Sequence, residues 1–362
     1  MKKQNKTGSI GVVGATAIGV GGMMGAGLYT LLGLAANSAG VWLPVSFLIG
    51  GIVAAFSVYS YSKLGMKYPD RGGAAKFLLK EFGDGLLAGG MNVFQYIGWI
   101  IAMALYATGF AEYACQLLGK SSSGWLGKAI SIGIVIVVVA INIMGSKQVA
   151  RAQTAIIAFE LLILLSFVAV GLTKLHVPTI TSSNSGNIVG ILSAAGLLYV
   201  TYEGFGVVTN AAGSMVNPKK QLPQALFFSL GIVMVIYIVA SVVVVMTLGV
   251  QGAVANQGHV LATAGKLVLG NWGLFITSLI VCIFVVIFPL SAVGEMASLA
   301  FLLVYAMVNL GHLRIAGQTG GQALDFDLLC CIESSFVCFV VYSDNSQPRN
   351  FNLDFSNCFV NY

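Results

Sequence analysis

Charged side chains are scarce in this chain: Asp, Glu, Lys and Arg together make up 8% of its 362 residues. An ordinary soluble domain carries about 25%, so there is too little charge here to cover a water-facing surface of this size. The shortage argues against a soluble enzyme, and against a nucleic-acid binder despite a formal net charge of +6. Histidine is rarer still. His176, His259 and His312 fall in loops or at the ends of apolar stretches with no relay spacing, and are expected to be solvated. The six cysteines, at 115, 282, 330, 331, 338 and 358, include no CxxC pair and have no histidine nearby at ligand spacing. They imply neither a metal site nor a disulfide framework, and nothing else in the chain implies a cofactor. The 45 glycines follow no Gly-X-Y period, which excludes collagen.

What remains is apolar. Hydrophobic residues make up 57% of the chain and the mean hydropathy is +0.91, so most of its surface must face the lipid bilayer. A helix needs about 20 apolar residues to cross a hydrocarbon core about 30 Å thick. Seven such runs precede Val250: roughly Ser9 to Asn37, Val41 to Ser62, Leu86 to Leu118, Leu126 to Met144, Ala152 to Leu172, Ile188 to Met215 and Ala225 to Leu248. The run after Met1-Lys2-Lys3 continues past Ala36, too long for a signal peptide, and reads as a first spanning helix. After a weaker segment, Gln251 to Trp272, an apolar block from Leu274 to Leu310 is nearly two spans long and divides at Pro289. The expected architecture is an all-α polytopic membrane protein of about nine transmembrane helices.

Short cytoplasmic loops collect Lys and Arg. With the N-terminus in the cytoplasm, Lys2, Lys3, Lys6, Lys63, Lys67, Arg71, Lys76, Lys80, Lys147, Arg151, Lys219 and Lys220 lie inside, and only Lys120, Lys128, Lys174 and Lys266 outside. This orients the first seven spans in a cell membrane, plasma or inner. Counting crossings onward from there places Arg314 outside, unless Gln251 to Trp272 crosses as an amphipathic segment despite Lys266 or the chain does not complete the bundle. From about Gly320 the character changes. Four of the six cysteines fall there, and the apolar run Leu328 to Tyr342 is short and carries Glu333. Residues 1–318 therefore read as the membrane domain, and 319–362 as an atypical tail outside the core bundle.

Within the first span, Gly19-Val-Gly-Gly-Met-Met-Gly-Ala-Gly27 holds five glycines in nine residues. A dinucleotide fingerprint would need a preceding strand, which is lacking. Two readings stay open: close helix packing through the GxxxG spacing of Gly21 and Gly25, or a helix broken at mid-membrane whose freed N–H groups bind an anion. The sixth span favours the second reading, because Tyr202-Glu-Gly-Phe-Gly206 sets an acid and two glycines well inside an apolar run. Glycine-interrupted helices in corresponding positions of two halves point to a transporter binding site, and a separation of five spans suits a five-plus-five inverted repeat.

Three stretches then carry a resemblance: Gly21-Gly-Met-Met-Gly-Ala-Gly-Leu-Tyr29, Tyr68-Pro-Asp-Arg-Gly-Gly73 and Asn217-Pro-Lys-Lys-Gln-Leu-Pro223. In order and spacing they resemble the amino acid–polyamine–organocation superfamily of permeases, with its leucine-transporter-like fold, over about Ser9 to Arg314. The resemblance implies a secondary permease for an amino acid or related amine, working by alternating access without covalent chemistry. It further implies that Gly25, Ala26 and Gly27 hold the substrate carboxylate through backbone N–H groups, and that Gly21 and Tyr202 offer carbonyls to its ammonium. Gly22, Met23, Met24 and Gly204 flank the breaks, and side-chain selectivity falls to Tyr202, Glu203, Phe205 and groups on the third span.

A charge within a span costs about 2.5–3.5 kcal/mol even on lenient scales, so by default it marks function. Glu160, in mid-span nine positions after Arg151, lies near where some relatives place a titrating lysine. It is the candidate for proton coupling, against the alternative of a permanently protonated carboxyl. Glu112, near the outer end of the third span, is expected to be interfacial. The resemblance implies an eighth helix and two final helices for which this sequence offers no matching run, so the bundle reads as incomplete. The rival to a working permease is a remnant that binds a ligand or a partner without completing a cycle.

Overall fold

The computed structural model describes residues 10–69, 72–143, 158, 161–162, 164–173, 186–256, 259–269, 272, 303–312, 315 and 319. Every regular element among them is helical. Three helical stretches are long and apolar enough to cross a membrane: Gly27–Lys67, Ile188–Ser214 and Pro218–Ala255. The first apolar run of the sequence divides into α1, Val12–Met23, and α2, Ala26–Ala39. Helix α3, Leu43–Lys67, has Pro44 in its first turn, where a fixed φ and a missing N–H cost nothing. The loop after it leads to α4, Gly73–Phe82, an amphipathic helix that buries Ala74, Phe77, Leu78 and Glu81 along one face.

Helices α5, Leu86–Leu117, and α6, Trp125–Ile143, pack against one another. Helix α6 turns Ile132, Ile136, Val137 and Val139 outward, a lipid-facing flank. The sixth apolar run contains α7, Ile188–Tyr199, a single tight turn at Val200–Tyr202, and the short α8, Phe205–Asn210. Asn187 caps α7, its side-chain oxygen accepting from the Gly190 N–H at 2.6 Å. Helix α9, Pro218–Ala255, exposes Phe228, Ile232 and Val235 at i, i+4 and i+7 and buries its opposite face. That face packs on α3 and α1, while α7 packs on α3 and α2. Small residues make the approach close: a Cβ at Gly50 would lie 3.1 Å from the Ala195 carbonyl oxygen. Helix α10, Val260–Leu269, follows, and residues 164–172 and 303–312 are also helical.

The weaker segment after Val250 is not among the expected spans, and its helices are too short for an amphipathic crossing: residues 251–255 continue α9, and α10 at ten residues is about 15 Å long, half a span. It lies against α9 and α2. Arg314 lies outside the described residues. The Ile10 N–H donates to Ser214 and Ile10 accepts from Val216, so the start of α1 and the end of the sixth run share one end of the bundle. Gly311 packs on Glu81 of α4, and Lys63 at the foot of α3 acts electrostatically on His312. The last described helix therefore ends beside α4, at the end where the α3–α4 loop lies.

Candidate functional site

Two interrupted helices meet back to back. Helix α1 ends as the Met24 N–H donates to Val20 at 2.7 Å, and the chain then turns extended, with Met24 at ψ 90° and Gly25 at φ −131°, ψ −172°. This leaves the carbonyls of Gly21, Gly22 and Met23 beyond the helix's own donors, and the first N–H groups of α2 beyond its own acceptors. No side chain caps α2. In the sixth run the helix stops at Tyr202, Glu203 is extended, and Gly204 takes φ 124° before α8 begins. At Gly204 glycine is required twice over: the positive φ disfavours any side chain, and a Cβ would run into the Gly22 carbonyl and the Met23 nitrogen. Gly22 answers it, since a Cβ there would lie 2.9 Å from the Gly204 oxygen.

A tyrosine on α9 ties the two breaks together. The Tyr237 hydroxyl donates to the Met23 carbonyl at 2.8 Å and lies 3.3 Å from the Thr201 carbonyl. From α5, Tyr113 donates to the Tyr29 carbonyl at 2.9 Å, and Tyr106 approaches Gly27, whose other neighbour is Thr201. The start of α2 therefore faces the last turn before the second break.

Glu203, 5% exposed, has a different environment. Its Oε1 accepts from the Tyr305 hydroxyl at 2.7 Å, and it lines a cavity of about 180 Å³ together with Tyr61, Gln95, Asn210 and the beginning of α4. Aromatic rings close in below it: Tyr61 meets Phe205, Tyr305 and Phe77 edge-on at centroid separations of 5.1, 5.2 and 5.4 Å.

Of the residues expected to bind substrate, Gly21, Gly22, Met23, Met24, Gly25, Ala26 and Gly27 lie at the first break, and Tyr202, Glu203, Gly204 and Phe205 at the second. Two side chains point away from an open site. The Tyr202 hydroxyl donates to the Phe47 carbonyl at 2.9 Å, and Phe205 is fully buried in the aromatic cluster. Glu160 lies outside the described residues. No group of three potential metal ligands occurs among the described residues. Tyr61, Tyr106, Tyr237 and Tyr305 were not foreseen. Their only signal is a hydroxyl inside an apolar run, which must find a partner there.

Two histidines also depart from expectation. His312 is fully buried, with Nε2 2.8 Å from the Thr319 hydroxyl, and His259 is half-buried against the Tyr113 ring. Neither is the solvated loop residue expected of it. Burial, aided by Lys63, pulls His312 down to about 4, and burial lowers His259. Burial pushes the Glu81 carboxyl up to about 9, so it is protonated at neutral pH.

Sequence comparison finds related membrane proteins. An uncharacterized protein of Methanocaldococcus jannaschii is 30% identical over 360 residues, which cover 85% of this chain and 83% of that protein. The inner membrane transport protein YbaT of Escherichia coli is 29% identical over 267 residues, 73% of this chain and 62% of YbaT. A methylthioribose transporter of Bacillus subtilis is 26% identical over 243 residues, 63% of this chain and 52% of its own length. The chain thus spans little more than half the length of these two transporters. Residues 10–287 match the profile of a family described as amino acid permease, and the chain belongs to that family of membrane transporters.

Proposed function

We propose that this protein is a secondary transporter of amino acids or related amines, built on a five-plus-five inverted repeat and cycling by alternating access. The observation that carries the reading is the uncapped start of α2 at Ala26, set beside the second break, with Gly27 packed on Thr201. In a low-dielectric interior those N–H groups and the positive end of a fourteen-residue helix favour an anion. The N–H groups of Gly25, Ala26 and Gly27 would hold the α-carboxylate. The carbonyls of Gly21 and Tyr202 would receive the α-ammonium, with Glu203 adding negative charge close by. Rocking of the broken helices around this point would expose it to one side and then the other.

By the distribution of Lys and Arg, the N-terminus and α4 are cytoplasmic, in the plasma or inner membrane. Movement of substrate is coupled to protons or proceeds by exchange, with Glu160 the coupling candidate from the sequence. The test is counterflow in proteoliposomes with each of the twenty labelled amino acids, and with methylthioribose because a relative is named for it. Protein-dependent uptake of at least one amino acid supports the reading, and uptake of none overturns it. Ligand-dependent thermal stabilisation without flux would identify the non-cycling remnant instead.

A further inference from the structure

Positive charge gathers where α3 leaves the apolar part of the bundle. Helix α3 carries no charged residue until its last two turns, which hold Lys63 and Lys67. Helix α4 follows with Lys76 and Lys80, while its Phe77, Leu78 and Glu81 turn inward. Two of these cations meet one ring: Lys67 Nζ lies 5.7 Å and Lys80 Nζ 5.8 Å from the centroid of Tyr68, and Lys63 Nζ stands 5.5 Å from that of Tyr59. Lysine beside tyrosine at the foot of a span is the composition of a membrane–water interface. Like charges drawn to one ring also repel, and an anion shared between them relieves the repulsion. Over residues 63–85 the sequence sets Lys63, Lys67, Arg71, Lys76 and Lys80 against Asp70, Glu81 and Asp84. Asp70 and Arg71 lie outside the described residues, Glu81 is buried against Gly311, and Asp84 is exposed. Apolar surface adjoins this charge. Leu79 is exposed between Lys76 and Lys80, and past the turn at 83–85 helix α5 exposes Leu86, Val93 and Ile97 at i, i+7 and i+11. Between the first two, a Cβ at Gly89 or Gly90 would meet nothing within 4 Å among the described residues, which leaves a shallow channel along that flank.

We infer that the foot of α3 and the outward face of α4 bind an anionic phospholipid of the leaflet on the α4 side, its phosphate held by Lys67 and Lys80 beside the Tyr68 ring and an acyl chain lying along the exposed flank of α5. Cationic side chains next to an apolar channel suit an amphiphile with an anionic head, and juxtamembrane lysines on an amphipathic helix draw such lipids. The inference goes beyond the permease reading and does not depend on what the protein carries. Helix α4 packs on α3, α5 and α8, so a lipid that joins Lys67 to Lys80 braces this end of the bundle and raises its stability.

Thermal unfolding of the purified full chain in a neutral detergent tests this, with phosphatidylglycerol or phosphatidylcholine titrated in as mixed micelles. Phosphatidylglycerol should raise the melting temperature at concentrations where phosphatidylcholine does not, and high salt should weaken its effect. Each lysine beside an anionic headgroup contributes about fivefold in binding, so Lys67→Gln/Lys80→Gln should need about 25-fold more phosphatidylglycerol for the same shift. Lys219→Gln/Lys220→Gln removes the same charge from the start of α9 and should titrate like wild type. Because the readout is the lipid concentration at half effect, a lower melting temperature of either variant on its own leaves the comparison intact. Glycerol phosphate, a headgroup without chains, should produce no shift at the same concentrations. Equal stabilisation by the two lipids, equal weakening in both double variants, or full stabilisation by glycerol phosphate overturns the inference.

Discussion

Replacing Gly204 by alanine tests the crossing of the two broken helices at one atom. Gly204 holds φ 124° and ψ −18°, and a methyl group there would meet the Gly22 carbonyl and the Met23 nitrogen, both backbone and both tied into α1. Holding a non-glycine residue in so sparse a region costs about 1–3 kcal/mol. Forcing extra volume against packed backbone adds about 1–3 kcal/mol. Gly204→Ala is therefore expected to destabilise the protein by about 2–6 kcal/mol. Two positions on, Gly206 lies inside α8, and its nearest neighbour for a Cβ is Tyr61 Cε1 at 3.8 Å, an ordinary contact. Gly206→Ala should change stability by less than about 1 kcal/mol, in the stabilising direction, because alanine favours helix over glycine. Unfolding of wild type and both variants in one detergent, followed by helical circular dichroism, measures the difference. Equal stabilities for the two variants, or a Gly204→Ala protein as stable as wild type, would refute the backbone-to-backbone crossing.

Tyr237→Phe leaves the Met23 and Thr201 carbonyls without their donor and should cost about 1–3 kcal/mol in the same unfolding assay. Asn187→Ala removes the cap of α7 and should cost about 0.5–2 kcal/mol. Glu81 makes stability depend on pH with a definite sign: its pKa is about 9 when folded, against 4.5 for the free group. Its stabilising contribution is whole below the unfolded value and is lost as pH rises toward 9, by up to about 1.4 kcal/mol per pH unit. Relative to wild type, Glu81→Gln should therefore gain stability progressively between pH 5 and 9, and parallel pH profiles for the two proteins would contradict the burial of that carboxyl.

The interruptions of the first and sixth spans were legible because their residues are ill suited to an apolar helix. Gly25, Glu203 and Gly204 are costly there unless the backbone is put to another use. The direction of Tyr202 was not legible. It points to α3 because Gly50 and Gly51 leave room, so that Cβ atoms there would lie 3.7 and 3.3 Å from its ring, and this depends on the register between helices about 150 residues apart in sequence. Tyr61, Tyr237 and Tyr305 were hidden for the same reason: a tyrosine in an apolar run shows that its hydroxyl has a partner, but not which carbonyl or carboxylate that is. Glu81, next to Lys80 on a short amphipathic helix, looks like part of a solvated face. In the folded chain Gly311 arrives against that side chain, and Glu81 is buried.

The central claim is that free N–H groups at the start of α2 grip a carboxylate. It is tested most directly by comparing an amino acid that stabilises the purified protein against heat with the primary amide of that same amino acid. Hydrogen bonds to a charged group contribute about 1.5–3 kcal/mol, so the amide should bind about ten- to a hundredfold more weakly, read from the concentration dependence of the melting temperature. Equal stabilisation by acid and amide would contradict the account.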